Sequence, residues 1–223
     1  MKIIFITRNL KATDFFKTAL EKVGFSVVGN SLIEFSKIEF ISIPDCDWLF
    51  FYSKNAVSFF LQQLDLTSIQ SKKIATIGHS TAEFIINNYN LKVDFIGTGE
   101  PLQTAKAFVK IAANQTILFP RAATSKQSIQ KQLGNTIIQK DLIVYQNQPK
   151  TNFEIIKADI LVFTSPMNVQ TYFGKTNLKE GQKVIAIGNT TANELLKLGI
   201  KNIIIANEPS KKGLIKANLS MKY

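Results

Sequence analysis

The 223-residue chain has one cysteine, one histidine and one tryptophan. Cys46 has no partner for an internal disulfide, which removes the secreted, disulfide-stapled class and points to a reducing, cytoplasmic setting. A lone His and a lone Cys cannot build a Cys/His metal site, so no metal is expected. Long apolar runs are also missing. Ile3 to Ile6 is closed by Thr7 and Arg8, too short for a signal-peptide core, and no later stretch approaches the roughly twenty residues of a membrane span. Cofactor signatures are absent too: Gly97-Thr-Gly99 meets Leu102 where a dinucleotide fingerprint needs glycine, and there is no P-loop. No nucleophile-elbow motif accompanies His79, which leaves a Ser-His-Asp triad without support. Acidic residues are few, 16 against 27 Lys and Arg, and the net charge of +11 favours a polyanionic partner.

What is present is apolar material in short, ordered runs. Apolar residues make up 45% of the chain and charged ones 19%, enough to close one large core or two smaller ones. Strand-like runs at Lys2–Ile6, Phe25–Val28, Trp48–Tyr52, Lys73–Ile77, Val93–Ile96, Thr116–Phe119, Ile160–Phe163, Val184–Ile187 and Asn202–Ile205 alternate with segments of helical period. Ala12, Phe16, Ala19 and Val23 form one such segment and stop at Gly24; Val57, Phe60, Leu61 and Leu64 form another. This alternation predicts an α/β protein of doubly wound parallel sheets.

An internal duplication divides the pattern in two. Trp48-Leu-Phe-Phe-Tyr-Ser-Lys-Asn-Ala-Val57 aligns with Ile160-Leu-Val-Phe-Thr-Ser-Pro-Met-Asn-Val169. Ile74-Ala-Thr-Ile-Gly-His-Ser-Thr-Ala82 aligns with Val184-Ile-Ala-Ile-Gly-Asn-Thr-Thr-Ala192. Ile4 to Arg8 echoes Ile117 to Arg121, each a strand ending in Arg. The copies are not consecutive, and two β-type stretches, Leu32–Ile43 and Thr136–Tyr145, read as extended crossings. The expected organisation is a discontinuous α/β domain of residues 1–34 and 151–223, an inserted α/β domain of residues 40–144, and a two-stranded linker at 35–39 and 145–150.

Each repeated glycine segment reads as strand, Gly-x-Ser/Thr-Thr-Ala, helix. Gly78 and Gly188 would make a tight turn, Ser80 or Thr190 would cap the helix, and the first-turn N–H groups would face outward. Helix amino termini at the carboxyl edge of a parallel sheet favour anions. Thr81 and Thr191, with Ser53 and Ser165 after the other repeated strand, recur in the same places, which points to a ligand held by both halves. Capping alone is the plainer reading of each threonine.

Phe5-Ile-Thr-Arg8, Phe51-Tyr-Ser-Lys-Asn-Ala-Val57, Ile77-Gly-His-Ser-Thr-Ala82, Ile143-Val-Tyr-Gln146, Phe163-Thr-Ser-Pro166, Ile187-Gly-Asn-Thr-Thr-Ala192 and Glu208-Pro-Ser210, taken in order, resemble the uroporphyrinogen-III synthase family. The resemblance implies two α/β domains on a two-stranded linker, a cleft between them, and no cofactor. It implies a linear tetrapyrrole with eight carboxylates as substrate. That substrate loses the ring A hydroxyl to give an azafulvene, ring D attacks through its substituted carbon to form a spiro intermediate, and fragmentation and reclosure invert ring D. It places Tyr145, Ser53, Thr81, Ser165, Lys183 and Thr191 near the substrate. Tyr145 is the candidate catalytic proton donor, with a linker side chain packed at the hinge as the alternative, and Arg8, Gly78 and Gly188 complete the candidate substrate-binding set. His79, Asn189 and Asn9 stand where the family commonly has proline. The expected protein is monomeric, with neither nucleic acid nor membrane as partner. The alternative reading is a non-catalytic two-domain binder of an anionic small molecule, and the basic charge is the only support for nucleic-acid binding.

Overall fold

The computed structural model describes residues 1–220, so the last three residues of the expected first domain lie outside the described residues. In chain order the strands and helices are β1 (Ile3–Ile6), α1 (Phe15–Glu21), β2 (Ser26–Gly29), β3 (Ile33–Lys37), β4 (Trp48–Phe51), α2 (Lys54–Leu61), β5 (Lys73–Thr76), α3 (His79–Tyr89) and β6 (Phe95–Ile96). They continue with α4 (Pro101–Ala112), β7 (Thr116–Ala122), β8 (Ile138–Pro149), β9 (Ile160–Phe163), α5 (Pro166–Phe173), β10 (Lys183–Ala186), α6 (Asn189–Lys197), β11 (Ile203–Ile205) and α7 (Lys211–Leu219). The chain folds as two compact units, residues 1–34 with 148–223 and residues 35–147, and it passes between them within β3 and within β8.

Four-residue strands hold because both of their faces are buried. In the first unit Ile4, Ile6, Ile160, Val162 and Ile185 pack with Phe16 and Leu20 of α1 and Leu214 of α7. The alternate residues Phe5, Leu161, Phe163, Val184 and Ala186 pack with Val169 and Tyr172 of α5 and Leu195 of α6. The second unit repeats this. Leu49, Phe51 and Ile74 meet α2 and α3, whereas Trp48, Phe50 and Ala75 meet Ala105, Phe108 and Ala112 of α4. At about 1.5–3 kcal/mol for each fully buried Leu, Ile or Phe side chain, this burial outweighs the weak local preference of so short a strand.

The sheets explain the broken order of the repeats. The first is ordered β11-β10-β9-β1-β2 and the second β3-β8-β7-β4-β5-β6; every pairing in β11 to β2 and in β8 to β6 for which a register is known is parallel. Superposing the duplicated strands sets β9, β10 and β1 on β4, β5 and β7, and β2 then falls on β8. The second unit is thus a cyclic permutation of the first, with β3 added at its edge. Ile38 N–H bonds to Val144 and Lys150 N–H to Leu32, numbers that run oppositely along the two segments, so β3 lies antiparallel to β8.

Local chemistry sets the element ends and corrects several expectations. Asp14, not a residue near Ala12, opens α1: its carboxylate accepts the Phe16 N–H at 3.0 Å, and Ala12 lies outside the helix. Of the β-type stretch Leu32–Ile43 only Ile33–Lys37 is strand. Beyond it Phe40 stacks on Phe60 at 5.6 Å, and Phe40 and Ile43 cover the α2 core instead of alternating along a ladder. The other stretch runs later than expected, as β8, to Pro149. Ser80 and Thr190 do not cap their helices: Gly78 and Gly188 are the N-caps, without a side-chain bond. Both glycines are extended, with φ of −173° and −179°, a conformation open to any residue. What restricts Gly78 is space, since a Cβ there would stand 3.2 Å from Gly99 Cα.

Asp14 ties two helices together, because Lys211 at the start of α7 donates to it at 2.7 Å. Burial would raise its pKa, but the bonds from Lys211 and Phe16 N–H outweigh that and hold the carboxyl below its ordinary value. A depressed carboxylate stabilises the fold above its unfolded pKa and loses that contribution as pH falls through the folded value. Asp14→Ala is therefore expected to cost about 1 kcal/mol at neutral pH, with the gap from wild type shrinking below about pH 4. Urea denaturation at both pH values checks this; a gap independent of pH would leave the charge out of the account.

Candidate active site

In parallel strands every carboxyl end opens on one edge, and the loops that follow carry the candidate residues. In the second unit, Ser53 follows β4 and caps α2, its Oγ accepting the Ala56 N–H at 3.2 Å. The same Oγ lies 3.4 Å from the hydroxyl of Tyr145 in β8. Strand register brings them together: β4 pairs with β7 and β7 with β8, and Ala122 stands opposite Tyr145. The Tyr145 ring stacks on Phe59 of α2 at 5.1 Å and 15° and tilts against Phe35 at 6.0 Å. Only 8% of the residue is exposed. Rigid aromatic contacts on both sides thus present one hydroxyl at the sheet edge.

Gly78 and Thr81 form the turn beside it. Thr81 is the third residue of α3 and is buried, and its N–H turns back to the Gly78 carbonyl at 3.2 Å. No side chain caps the helix, so the donors at the sheet edge are the preceding amides of His79 and Ser80. The first unit repeats the device: Thr191 N–H bonds to the Gly188 carbonyl at 3.1 Å, and α6 also lacks a side-chain cap. Ser165, the counterpart of Ser53, caps α5 through Asn168 N–H and also receives Asn168 Nδ2 at 2.9 Å. Its second partner is thus an amide in place of a phenol. Beside it Thr164 Oγ1 donates to the Thr7 carbonyl at 2.7 Å and ties the ends of β9 and β1.

The two strand-end arginines differ. Arg121 donates Nε and Nη2 to Asp141 at 2.7 and 3.1 Å, which consumes its charge within the protein. Arg8 makes no salt bridge among the described residues, and it stands half-buried at the carboxyl end of β1. It is the cation that remains able to meet a carboxylate. Among the described residues no group of three or more His, Cys, Asp or Glu is placed to hold a metal ion, and no helix is long and apolar enough to cross a membrane.

The family model of uroporphyrinogen-III synthase HemD matches residues 14–216. The chain belongs to the uroporphyrinogen-III synthase family. These synthases are cofactor-independent lyases, and the family acts on a tetrapyrrole substrate. A uroporphyrinogen-III synthase of Chlorobaculum parvum is 29% identical over 237 aligned positions, spanning 92% of this chain and 93% of that relative. The crystal structure of uroporphyrinogen-III synthetase from Helicobacter pylori 26695 superposes over all of both chains with a TM-score of 0.77 at 22% identity. A mutant uroporphyrinogen III synthase of the extremely thermophilic bacterium Thermus thermophilus covers 99% of this chain and all of its own, with a TM-score of 0.53 at 16% identity. These likenesses in structure bear out the two-domain α/β fold expected of the synthase family.

One residue assigned through the family stands apart. Lys183 is the first residue of β10 and is exposed, so it lies at the amino edge of the first sheet, the length of the strand from Gly188. A concavity of about 660 Å³ opens at the same edge, lined in part by Phe173, Gln182, Leu198 and Asn202; none of the assigned site residues, Lys183 included, lines it. Reading the sequence also missed Tyr52, although it lies inside the quoted Phe51-Tyr-Ser motif. Its hydroxyl donates to Gln130 Oε1 at 3.3 Å and accepts the Gln130 N–H at 3.2 Å. Burial pushes its phenol above the ordinary range, and its two bonds to Gln130 make Tyr52 a strut.

For a polycarboxylate substrate, Arg8→Gln is expected to raise KM about tenfold, the scale of one charge-assisted contact. Lys183→Gln should change KM less than twofold. Steady-state kinetics at fixed ionic strength separates them, and equal effects would place Lys183 in the binding surface after all.

Proposed function

We propose that the chain cyclises hydroxymethylbilane to uroporphyrinogen III, with inversion of ring D and loss of water, as a cytoplasmic monomer that needs neither cofactor nor metal. The observation that carries the residue assignment is the Tyr145 hydroxyl held beside Ser53 at the sheet's carboxyl edge. The buried, unpaired Cys46 accords with a reducing compartment, and the charge of +11 with attraction of a substrate bearing eight carboxylates.

In this reading Tyr145 gives its proton to the departing ring A hydroxyl, which leaves as water, and the azafulvene cation forms. Ring D attacks through its substituted carbon; fragmentation and reclosure follow. When the macrocycle closes, the cationic pyrrole loses one proton, which restores the phenol. General acid catalysis by one side chain contributes about a hundredfold here at most. The larger task is geometric: unbound hydroxymethylbilane closes to the wrong isomer, and the protein must hold the chain bent for attack by ring D. Arg8 and the amides before Thr81 and Thr191 would bind carboxylates, with Ser53 and Ser165 fixing the turns between them.

Incubation of the purified protein with hydroxymethylbilane, followed by isomer analysis, tests this. Type III product is expected without added metal. Tyr145→Phe should lose one to two orders of magnitude in kcat and still make the type III isomer. Thr81→Ala and Thr191→Ala should lose less, because the backbone amides survive. Tight binding without turnover would favour the binding-protein reading, and full activity in folded Tyr145→Phe would remove the acid role.

A further inference from the structure

The pairing of β7 with β8 is regular from Thr116 opposite Ile138 to Arg121 opposite Ile143, but the next pair is Ala122 with Tyr145. Val144 is therefore an extra residue, a bulge one pair from the candidate proton donor. Its effect on side-chain direction follows from the period of a strand. Up to the bulge, Leu142 and Val144 share the face of Leu118, which packs on α2, while Asp141 and Ile143 share the face of Phe119 and Arg121. Without the extra residue Ala122 would pair with Val144, and Tyr145 would project on the Asp141 face, away from Ser53 and Phe59. With it, Val144 and Tyr145 lie in the same core beside α2.

The bulge is held by a charged pair. Arg121 takes both oxygens of Asp141 with Nε and Nη2, and its remaining amino group, Nη1, donates to the Ala122 carbonyl at 3.1 Å, at the slip itself. Past the slip the ladder resumes with Ala123 N–H to the Tyr145 carbonyl at 2.9 Å. Asp141 also receives the side-chain amides of Gln127 at 2.9 Å and Gln130 at 3.1 Å. Gln130 is bonded to Tyr52, the residue before Ser53. One network on the far face of the sheet thus reaches the backbone beside both members of the Ser53–Tyr145 pair. The Arg121 side chain is only 13% exposed, and a charge so shielded is costly unless its partners stay in place.

We propose that the Arg121–Asp141 fork fixes the bulge that aims Tyr145, so that Arg121 and Asp141 are positioning residues for the cyclisation. This rests on Tyr145 acting as proton donor, and two measurements separate the claims. Arg121→Lys keeps the charge but cannot bridge Asp141 and the Ala122 carbonyl as a fork does. It is expected to lower kcat about tenfold with KM within about twofold, and to cause no further loss in a Tyr145→Phe background. Equal kcat losses in both backgrounds, or a change confined to KM, would overturn the proposal. The second readout is the NMR signal of tyrosine labelled at Cζ, assigned to Tyr145 by its disappearance in Tyr145→Phe. It should move in Arg121→Lys while those of Tyr89 and Tyr172 stay; an unmoved Tyr145 signal in the folded variant would also overturn the proposal. Should Arg121→Lys fail to fold, Asp141→Asn, which keeps the side-chain shape, replaces it in both measurements. Should Tyr145→Phe prove fully active, the proton-donor reading falls and the NMR signal alone decides whether the fork positions Tyr145.

Discussion

Two-sided burial of short parallel strands is the constraint from which the rest of the architecture follows. Each four-residue strand sends alternate side chains into two different cores, so no strand can slip by one residue without moving Ile, Leu and Phe side chains onto the wrong face. Parallel pairing then places every carboxyl end at one edge of its sheet, and the helix that follows begins there with free amides. The candidate site is thus a consequence of packing before it is a set of particular side chains.

Duplication acts on this frame in an uneven way. Ser53 and Ser165 cap their helices with nearly the same backbone angles, and Gly78 and Gly188 are equally alike. These positions serve the turn itself, which both units need. The side chains that face outward have diverged: Ser53 meets a phenol where Ser165 meets an amide, and Arg121 is neutralised by Asp141 where Arg8 makes no salt bridge among the described residues. At equivalent positions, then, the two units keep the same turns while the partners of the side chains beside them differ.

In the role proposed for Tyr145, orientation counts for more than acid strength. Its ring is clamped by Phe59 and Phe35 and its hydroxyl by Ser53, so little freedom remains to be lost on binding substrate. The charged network on the other face of the sheet serves the same end through the backbone. An enzyme whose uncatalysed reaction already proceeds to a wrong isomer gains more from this rigidity than from a stronger acid.

Periodicity and the repeated motifs already carried the α/β class, the two halves and most of the residues at the sheet edges, because strand alternation and helix entry are local in the chain; the family was legible only through the ordered set of motifs that resemble it. Where the elements stop was less legible. Phe40 and Ile43 read as strand yet cover a helical core, and the side chains of Ser80 and Thr190 suit caps that the glycines before them supply, since these outcomes depend on neighbours distant in sequence. Lys183 lies five residues before Gly188, but a strand between them sets the two at opposite edges. Tyr145 was visible as a motif residue; its direction was not, because a single extra residue in β8, set by pairing with β7 and by an Arg–Asp contact 20 residues apart in sequence, decides which face it takes.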